Sequence, residues 1–512
     1  MTDSPPPTPL VLGIDVGTSA VKVLLVEPDG TIAARCSKPY PLMTPQPGWS
    51  EQRPTDWWAG SFAAIQEILR TSGVDPSRIK AIGLTGQMHG MVPLDAAGEV
   101  IRPAMLWNDQ RSQAQCDEIH ERLGRSEVIR ITGKPMLPSF TAPKVLWMKQ
   151  HEPEAFARLA TVLLPKDYLR YRLSGTLASD VADSSGTSYF DVSTRTWSPV
   201  LLDAVGLTLQ QVPSLAESCE VSSSVSAHAA TETGLVEGTP IVAGAGDQAA
   251  EGIGSGVVLP GAVSVAVGTS GVAFAATGTN AAAPDGSIHT YCSAVPRGHH
   301  VMGVMLAAGG SFTWLRNALY PDLPDIPESF TEVIDRASWI KPGANGLIFL
   351  PYLTGERCPH PDPNARGCFI GLTPQHNRDH MARAVLEGIT LGLRDLIELI
   401  PPPEGSTPDG PIGPIRVTGG LTRSKVFRQL CADVWGCTVT CPAVVEGAAF
   451  GAAILAMAGA GLHESVEQAA GEIVRDVSST EPGPARGAYD EIHRRYTALY
   501  PALKGHFSTG SV

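Results

Sequence analysis

The run Asp15-Val16-Gly17-Thr18-Ser19-Ala20-Val21-Lys22 sets a carboxylate, two hydroxyls and an ammonium around small residues. Backbone with little side-chain bulk lets N–H groups approach an anion; Thr18 and Ser19 add hydroxyl donors and Lys22 adds charge. Asp15 stands where a magnesium ion, or its bound water, would find a carboxylate oxygen. A plain hairpin with a capping aspartate accounts for the same residues without a ligand. The Gly-Thr-Ser core returns half a chain length later in Gly268-Thr269-Ser270-Gly271, and two facing turns of this kind could clamp a polyphosphate. In Gly244-Ala245-Gly246-Asp247-Gln248, Asp247 either accepts the proton of an attacking hydroxyl during phosphoryl transfer or caps a helix over Gln248 to Ile253. Gly86-Gln87-Met88-His89-Gly90 aims polar groups from a strand end, His89 serving a sugar hydroxyl or the protein's own backbone. Trp107-Asn108-Asp109 reads as a carbohydrate-facing aromatic with polar neighbours or as a helix start. Gly309-Gly310 and Gly419-Gly420 offer bare backbone against which a base or ribose can lie. Glu356 and Arg357, in the charged loop from Pro351, read as a surface ion pair.

Strand signals position these groups. Leu10 to Ile14, then Val21 to Val26, flank the first turn as a hairpin, with a further turn at Pro28-Asp29-Gly30. Ala262 to Val267 and Val272 to Ala275 flank the second turn in the same way. Strands over Ala81 to Leu84, Pro240 to Val242 and Ile415 to Thr418 end at the other polar segments. Helical patterns cover Thr55 to Arg70, Arg111 to Leu123, Val145 to Gln150, Phe312 to Ala318, Asp379 to Ile400, Lys425 to Trp435 and Ala448 to Ala458. The alternation predicts an α/β protein of two related halves, divided after Gly256, with a loop insertion over Pro401 to Pro414. Residues 1–9 read as a disordered lead and residues 486–512 as a terminal helix and tail.

Bulk properties narrow the function classes. The 512 residues exceed one compact core, and a formal charge of −13 argues against nucleic acid or an anionic membrane as the main partner. Val257 to Gly278 is nearly uncharged but broken by glycine, proline and hydroxyl residues, which suits two strands around a turn. Ala448 to Leu462 is too short to span a bilayer. Nine scattered cysteines without a Cys-x-x-Cys pair read as reduced thiols of an intracellular, cytoplasmic protein. No Gly-x-x-x-x-Gly-Lys-Ser/Thr loop is present, and no Gly-x-Gly-x-x-Gly follows the first strand; Gly252-x-Gly254-x-Gly256 precedes a strand and reads as packing or turn glycine.

Together the segments resemble the FGGY carbohydrate kinases of the actin-like ATPase superfamily, in order from Leu10 to Ala458. Gly86-Gln87-Met88-His89-Gly90, Leu106-Trp107-Asn108-Asp109, Leu164-Pro165-Lys166-Asp167-Tyr168-Leu169 and Pro351-Tyr352-Leu353-Thr354-Gly355-Glu356-Arg357 are similar to the branch acting on D-xylulose. The resemblance implies two ribonuclease H-like domains with ATP, Mg2+ and sugar in the cleft between them. It makes Asp247 the base for the sugar 5-hydroxyl, with Asp15 beside it as the magnesium contact through water. Met88, His89, Trp107 and Asn108 become sugar contacts. Thr18, Ser19, Lys22, Gly268 and Thr269 become phosphate contacts, and Gly309, Thr313, Gly420 and Ser424 line the nucleotide site. Leu421, Ser424 and Gln248 depart from the family pattern, where a third glycine and two asparagines are common. The implied partner is a small-molecule sugar, with no nucleic acid and no membrane; a homodimer is compatible with this. A kinase for L-ribulose or a deoxy-pentulose, an actin- or chaperone-like ATPase, and a non-catalytic sugar sensor are the alternatives.

Overall fold

The computed structural model describes residues 8–402, 413–444 and 446–507. Most of the expected lead, most of the 401–414 insertion and the last five residues lie outside them. The first half builds a mixed sheet from β1 (Leu10–Val16), β2 (Ala20–Val26), β3 (Ile32–Pro39), β4 (Ile79–Gly86), β5 (Val221–Ser224) and β6 (Pro240–Val242), in the order β5-β6-β4-β1-β2-β3. A short β7 (Ala245–Gly246) pairs with the end of β4. The second half builds β8 (Val263–Val267), β9 (Gly271–Thr277), β10 (His289–Cys292), β11 (His299–Met305), β12 (Ile415–Thr418), β13 (Val439–Pro442) and β14 (Asp476–Thr480), ordered β10-β11-β9-β8-β12-β13-β14.

The sheets repeat one plan. β1 runs antiparallel to β2 and parallel to β4, as β8 runs antiparallel to β9 and parallel to β12. The next pairings outward also correspond, antiparallel for β2–β3 and β9–β11, parallel for β4–β6 and β12–β13. Each glycine-hydroxyl turn therefore joins a central strand to its neighbour. β1 is buried at every position, as a strand covered on both faces must be, whereas β3 alternates half-buried and exposed residues at the sheet edge.

Helices cover the sheets: α1 (Pro54–Ser72), α2 (Asp247–Gly254), α3 (Gly309–Leu319), α4 (Pro327–Ser338), α5 (Arg378–Glu398), α6 (Lys425–Trp435) and α7 (Gly447–Gly459). The expected helices appear within a few residues of their predicted ends. The largest difference is the helix Thr141–His151, whose first turn holds Pro143, a position where a missing N–H costs little. α7 belongs to the second half of the sequence but packs on the first sheet. A Cβ at Gly83 of β4 would lie 1.8 Å from the Ala452 carbonyl oxygen, and one at Gly13 of β1 2.2 Å from that of Ala449. The α2–α7 crossing is equally close: a Cβ at Gly451 would meet the Ala250 oxygen at 1.8 Å, and one at Gly254 the Gly447 oxygen at 2.1 Å. Gly256 takes a positive φ of 74° in the turn after α2. Among the described residues no helix is long and apolar enough to cross a membrane.

Candidate active site

Pairing of β1 with β2 sets Asp15 opposite Lys22. Asp15 is 8% exposed, and its Oδ1 is buried without a hydrogen-bond partner among the described residues. Burial raises its pKa to about 6; the Lys22 ammonium pulls it down and the nearby Glu251 carboxylate pushes it up. In the following turn Thr18 donates its hydroxyl to Gln87 Oε1 (3.4 Å) and accepts from Trp107 Nε1 (3.0 Å). Gln52 donates to the Thr18 carbonyl (2.7 Å) and accepts from Gln87 Nε2 (2.9 Å). The first anion turn is thus tied to the segment carrying Met88 and His89. Ser19 on the turn and Lys22 on β2 are exposed.

Asp247 opens α2 immediately after β7, which pairs with Thr85 and Gly86 and so sets the carboxylate beside the Gln87-Met88-His89 segment. The approach requires glycine: a Cβ at Gly244, where φ is +74°, would lie 2.0 Å from the Leu84 oxygen, and one at Gly246 2.7 Å from Met88 Cγ. Gly246 occupies the cap position, and Asp247 Oδ1 accepts from the Gln248 N–H at 2.7 Å. Burial, and then the charge of Asp15, raise the Asp247 pKa to about 8. One helical turn on, Glu251 accepts from Thr418 Oγ1 (3.2 Å) at the end of β12, and burial raises its pKa too. The sequence reading missed Glu251, although its i,i+4 spacing from Asp247 places both on one helix face.

His89 has φ of +67°, a conformation uncommon for a non-glycine residue. Its carbonyl accepts from Lys144 Nζ (2.9 Å) and Thr141 Oγ1 (3.2 Å), which hold the turn. Nδ1 lies 2.8 Å from the Gly186 carbonyl, so Nδ1 donates and Nε2 is left as an acceptor. Burial, followed by the charges of Lys144, Arg357 and Lys134, keeps the ring neutral. Met88 packs against Tyr291 of β10 and Met302 and Val304 of β11, so the second half walls this segment. Sequence patterning did not reveal β10 and β11. Trp107 is 37% exposed, and Asn108 Oδ1 is buried without a partner among the described residues. The helix-start reading of Trp107-Asn108-Asp109 is set aside, because the helix begins at Gln113 and Asp109 instead accepts from Ser50 N–H and Arg111.

Gly268, Thr269, Gly309, Thr313, Gly420 and Ser424 line one cavity of about 730 Å³. Phe312, Phe330, Ile334 and Leu421 supply apolar walls suited to a flat base. The carbonyls of Gly268 and Thr269 accept from Gly309 N–H (2.9 Å) and Gly310 N–H (3.0 Å), docking the start of α3 on the second turn. A Cβ at Gly309 would lie 2.5 Å from the Gly268 oxygen. Ser424 caps α6 by accepting from Phe427 N–H (3.4 Å), and Leu421 contributes an apolar surface.

The expected surface pair of Glu356 and Arg357 is corrected. Glu356 is 4% exposed, and its Oε1 accepts from the backbone N–H of Leu306 (2.9 Å) and Arg357 (2.7 Å). Loop charge is no guide to exposure when backbone donors converge on one carboxylate. Arg357 instead reaches the first half, where Nη2 donates to Ser139 Oγ. All nine cysteines are free thiols.

Two sheets built on one plan, each with a glycine-hydroxyl turn beside its central strand, form a two-domain fold of the actin-like, ribonuclease H-like type. The model of the N-terminal domain of the FGGY family of carbohydrate kinases matches residues 10–254, and that of the C-terminal domain matches residues 263–460. The chain belongs to the FGGY family. It is 38% identical over 472 residues to the xylulose kinase of Bacillus subtilis (strain 168), covering 92% of each chain. It is 38% identical over 495 residues to that of Escherichia coli (strain K12), covering 96% of this chain and 99% of the relative. A solved xyloylose kinase from Brucella ovis superposes with a TM-score of 0.88 at 36% identity, covering 97% of this chain and 99% of that one.

Proposed function

We propose that this protein transfers the γ-phosphoryl group of ATP to the 5-hydroxyl of D-xylulose, with Asp247 as general base. The observation that carries the mechanism is the position of Asp247. β7 binds it to the end of β4 beside Met88, and Asp15 is near enough for its charge to act on Asp247. The choice of sugar rests on the xylulose kinases among the relatives. Met88 and His89 hold the sugar, His89 Nε2 accepting one of its hydroxyl protons, and Trp107 and Asn108 border the same site. Asp247 takes the proton of O5 as O5 bonds to the γ-phosphorus and the bond from that phosphorus to the bridging oxygen breaks, releasing ADP. Burial favours the protonated carboxyl that this step creates.

ATP fits the cavity between the second turn and α6, its base against the apolar walls and its phosphates toward Thr18, Ser19, Lys22 and Thr269. Among the described residues no three acidic, histidine or cysteine side chains gather tightly enough to hold a metal alone. The unpartnered Asp15 Oδ1 suits Mg2+ held through water and phosphate oxygens. When bound, the ion supplies positive charge against the phosphates. The same reading places the enzyme in the cytoplasm, in keeping with its free thiols.

A coupled ADP-release assay over a panel of pentuloses and polyols tests the substrate. D-xylulose should give the highest kcat/KM, and a clear lead for L-ribulose or a deoxy-pentulose would replace it. Asp247→Asn should lower kcat by about 10²- to 10⁴-fold with no fall in the unfolding midpoint. Turnover near that of the wild type would remove Asp247 as base.

A further inference from the structure

We infer that Arg357, supplied by the second half of the chain, reads the ketol end of the sugar, opposite the hydroxyl that is phosphorylated. The inference rests on the ketose-kinase reading above. The side chain is anchored from both directions. Its own N–H and that of Leu306 bind Glu356 Oε1, and the N–H of Cys358 donates to the Val304 carbonyl at 3.2 Å, fixing the loop on β11. The guanidinium then leaves this loop, donates Nη2 to Ser139 Oγ, and lies 5.8 Å from the centre of the Phe140 ring.

Phe140 meets the His89 ring edge-on at 4.9 Å and the His289 ring at 6.0 Å. A track of contacts therefore runs from Asp247 through Gly246 to Met88, past Gly186 to His89, and on through Phe140 to Arg357. Asp247 is the first residue of this series and Arg357 the last. Arg357 Nε and Nη1 donate to no protein acceptor among the described residues, and His289, whose ring lies 6.0 Å from that of Phe140, has a buried Nδ1 without a partner among the described residues. The Nη2 hydrogen not given to Ser139 pairs with one on Nε or Nη1 in a planar fork, which suits two adjacent oxygens such as a ketose presents at its carbonyl and its C1 hydroxyl. Because the fork crosses from the other half, sugar recognition there requires both halves.

The test compares D-xylulose with 1-deoxy-D-xylulose, which lacks the C1 hydroxyl, and with D-arabinitol, whose carbonyl is reduced. Arg357→Gln and Arg357→Lys are assayed beside the wild type, with thermal unfolding and ATP affinity as controls. The expected result is a fall of about 10-fold or more in kcat/KM for D-xylulose, carried mainly by KM, with much smaller changes for the two analogues. The wild-type preference for the ketose then collapses in both variants. An unchanged preference, or equal losses on all three sugars, overturns the inference whether or not the variants are less stable. If the wild type prefers another ketose, the substrate reading fails separately, and the same comparison is made with that ketose, its 1-deoxy form and its alditol. A wild type inactive on every ketose overturns both readings.

Discussion

Carboxyl groups withdrawn from water keep their protons to higher pH, and this chain uses that effect in two ways. At Asp247, the proposed base, it suits proton uptake from a hydroxyl. At Glu356 it is purely structural: burial raises the pKa to about 8, against an ordinary value of 4.5, while backbone and Arg357 contacts pull the other way. The unfolded chain releases this proton near the ordinary value, whereas the folded chain retains it until about pH 8. The unfolded state thus binds fewer protons between those values, and stability falls as pH rises through them. Glu356→Gln keeps an acceptor for Leu306 and Arg357 without the proton. Urea titrations at pH 5 and pH 8 should show wild type losing about 3 kcal/mol relative to the variant over that interval. An equal pH response in both proteins would show that Glu356 is ionised in the folded state. The sequence offered no warning of this, since Glu356 and Arg357 are neighbours in a loop and only the fold brings Leu306 N–H to the carboxylate.

At the scale of elements, α7 explains a run of small residues that composition alone left unexplained. Gly13 and Gly83 lie on the two central strands of the first sheet, and each faces a carbonyl of this helix. Contact of backbone with backbone leaves no room for a methyl group, and neither partner is a flexible side-chain end. Gly83→Ala should destabilise the protein by about 1–3 kcal/mol, read as a lower urea midpoint with unchanged m-value. Gly73→Ala serves as a contrasting control, since it caps α1 with nothing within 4 Å and is strained only by its φ of +63°. A Gly83→Ala midpoint equal to that of wild type would mean that α7 can move away. Because α7 also crosses α2, which begins at Asp247, Gly83→Ala tests the support of the proposed base as well.

At the scale of the molecule, the cavity proposed for the nucleotide is lined by the second half, and the segment proposed to face the sugar belongs to the first. Changes to each should separate kinetically. Gly420→Val, which puts a branched side chain at the cavity, should raise KM for ATP by about 10-fold or more with little change in KM for the sugar. Steady-state kinetics with each substrate varied in turn decides this, and a matching rise in both constants would contradict the division. The halves nevertheless meet at specific groups: Met88 against β10 and β11, Arg357 on Ser139, and Glu251 on Thr418. The last joins the helix of the proposed base to the strand that leads into Gly419-Gly420.

Much of this arrangement follows from local pattern. Apolar runs ending in Asp15-Val16-Gly17-Thr18-Ser19 and Gly268-Thr269-Ser270-Gly271 specify hairpins with open turns, because strand burial and glycine conformational freedom act over a few residues. For the same reason the elements carrying Met88, Asp247 and Gly420 were legible; of the nine residues expected to contact ATP, the six in the second half line one cavity, whereas Thr18, Ser19 and Lys22 of the first half do not line it. Contacts between residues far apart in the chain were not. The raised basicity of Asp247, the acceptor tautomer of His89, the buried state of Glu356 and the reach of Arg357 across the cleft depend on which groups exclude water and which donors meet them. The anion turns that opened the sequence reading were therefore determined locally. The coupling of the first turn to the segments carrying Gln87 and Trp107 was decided by tertiary structure, since a hydrogen bond requires both partners in place and sequence spacing supplies only one.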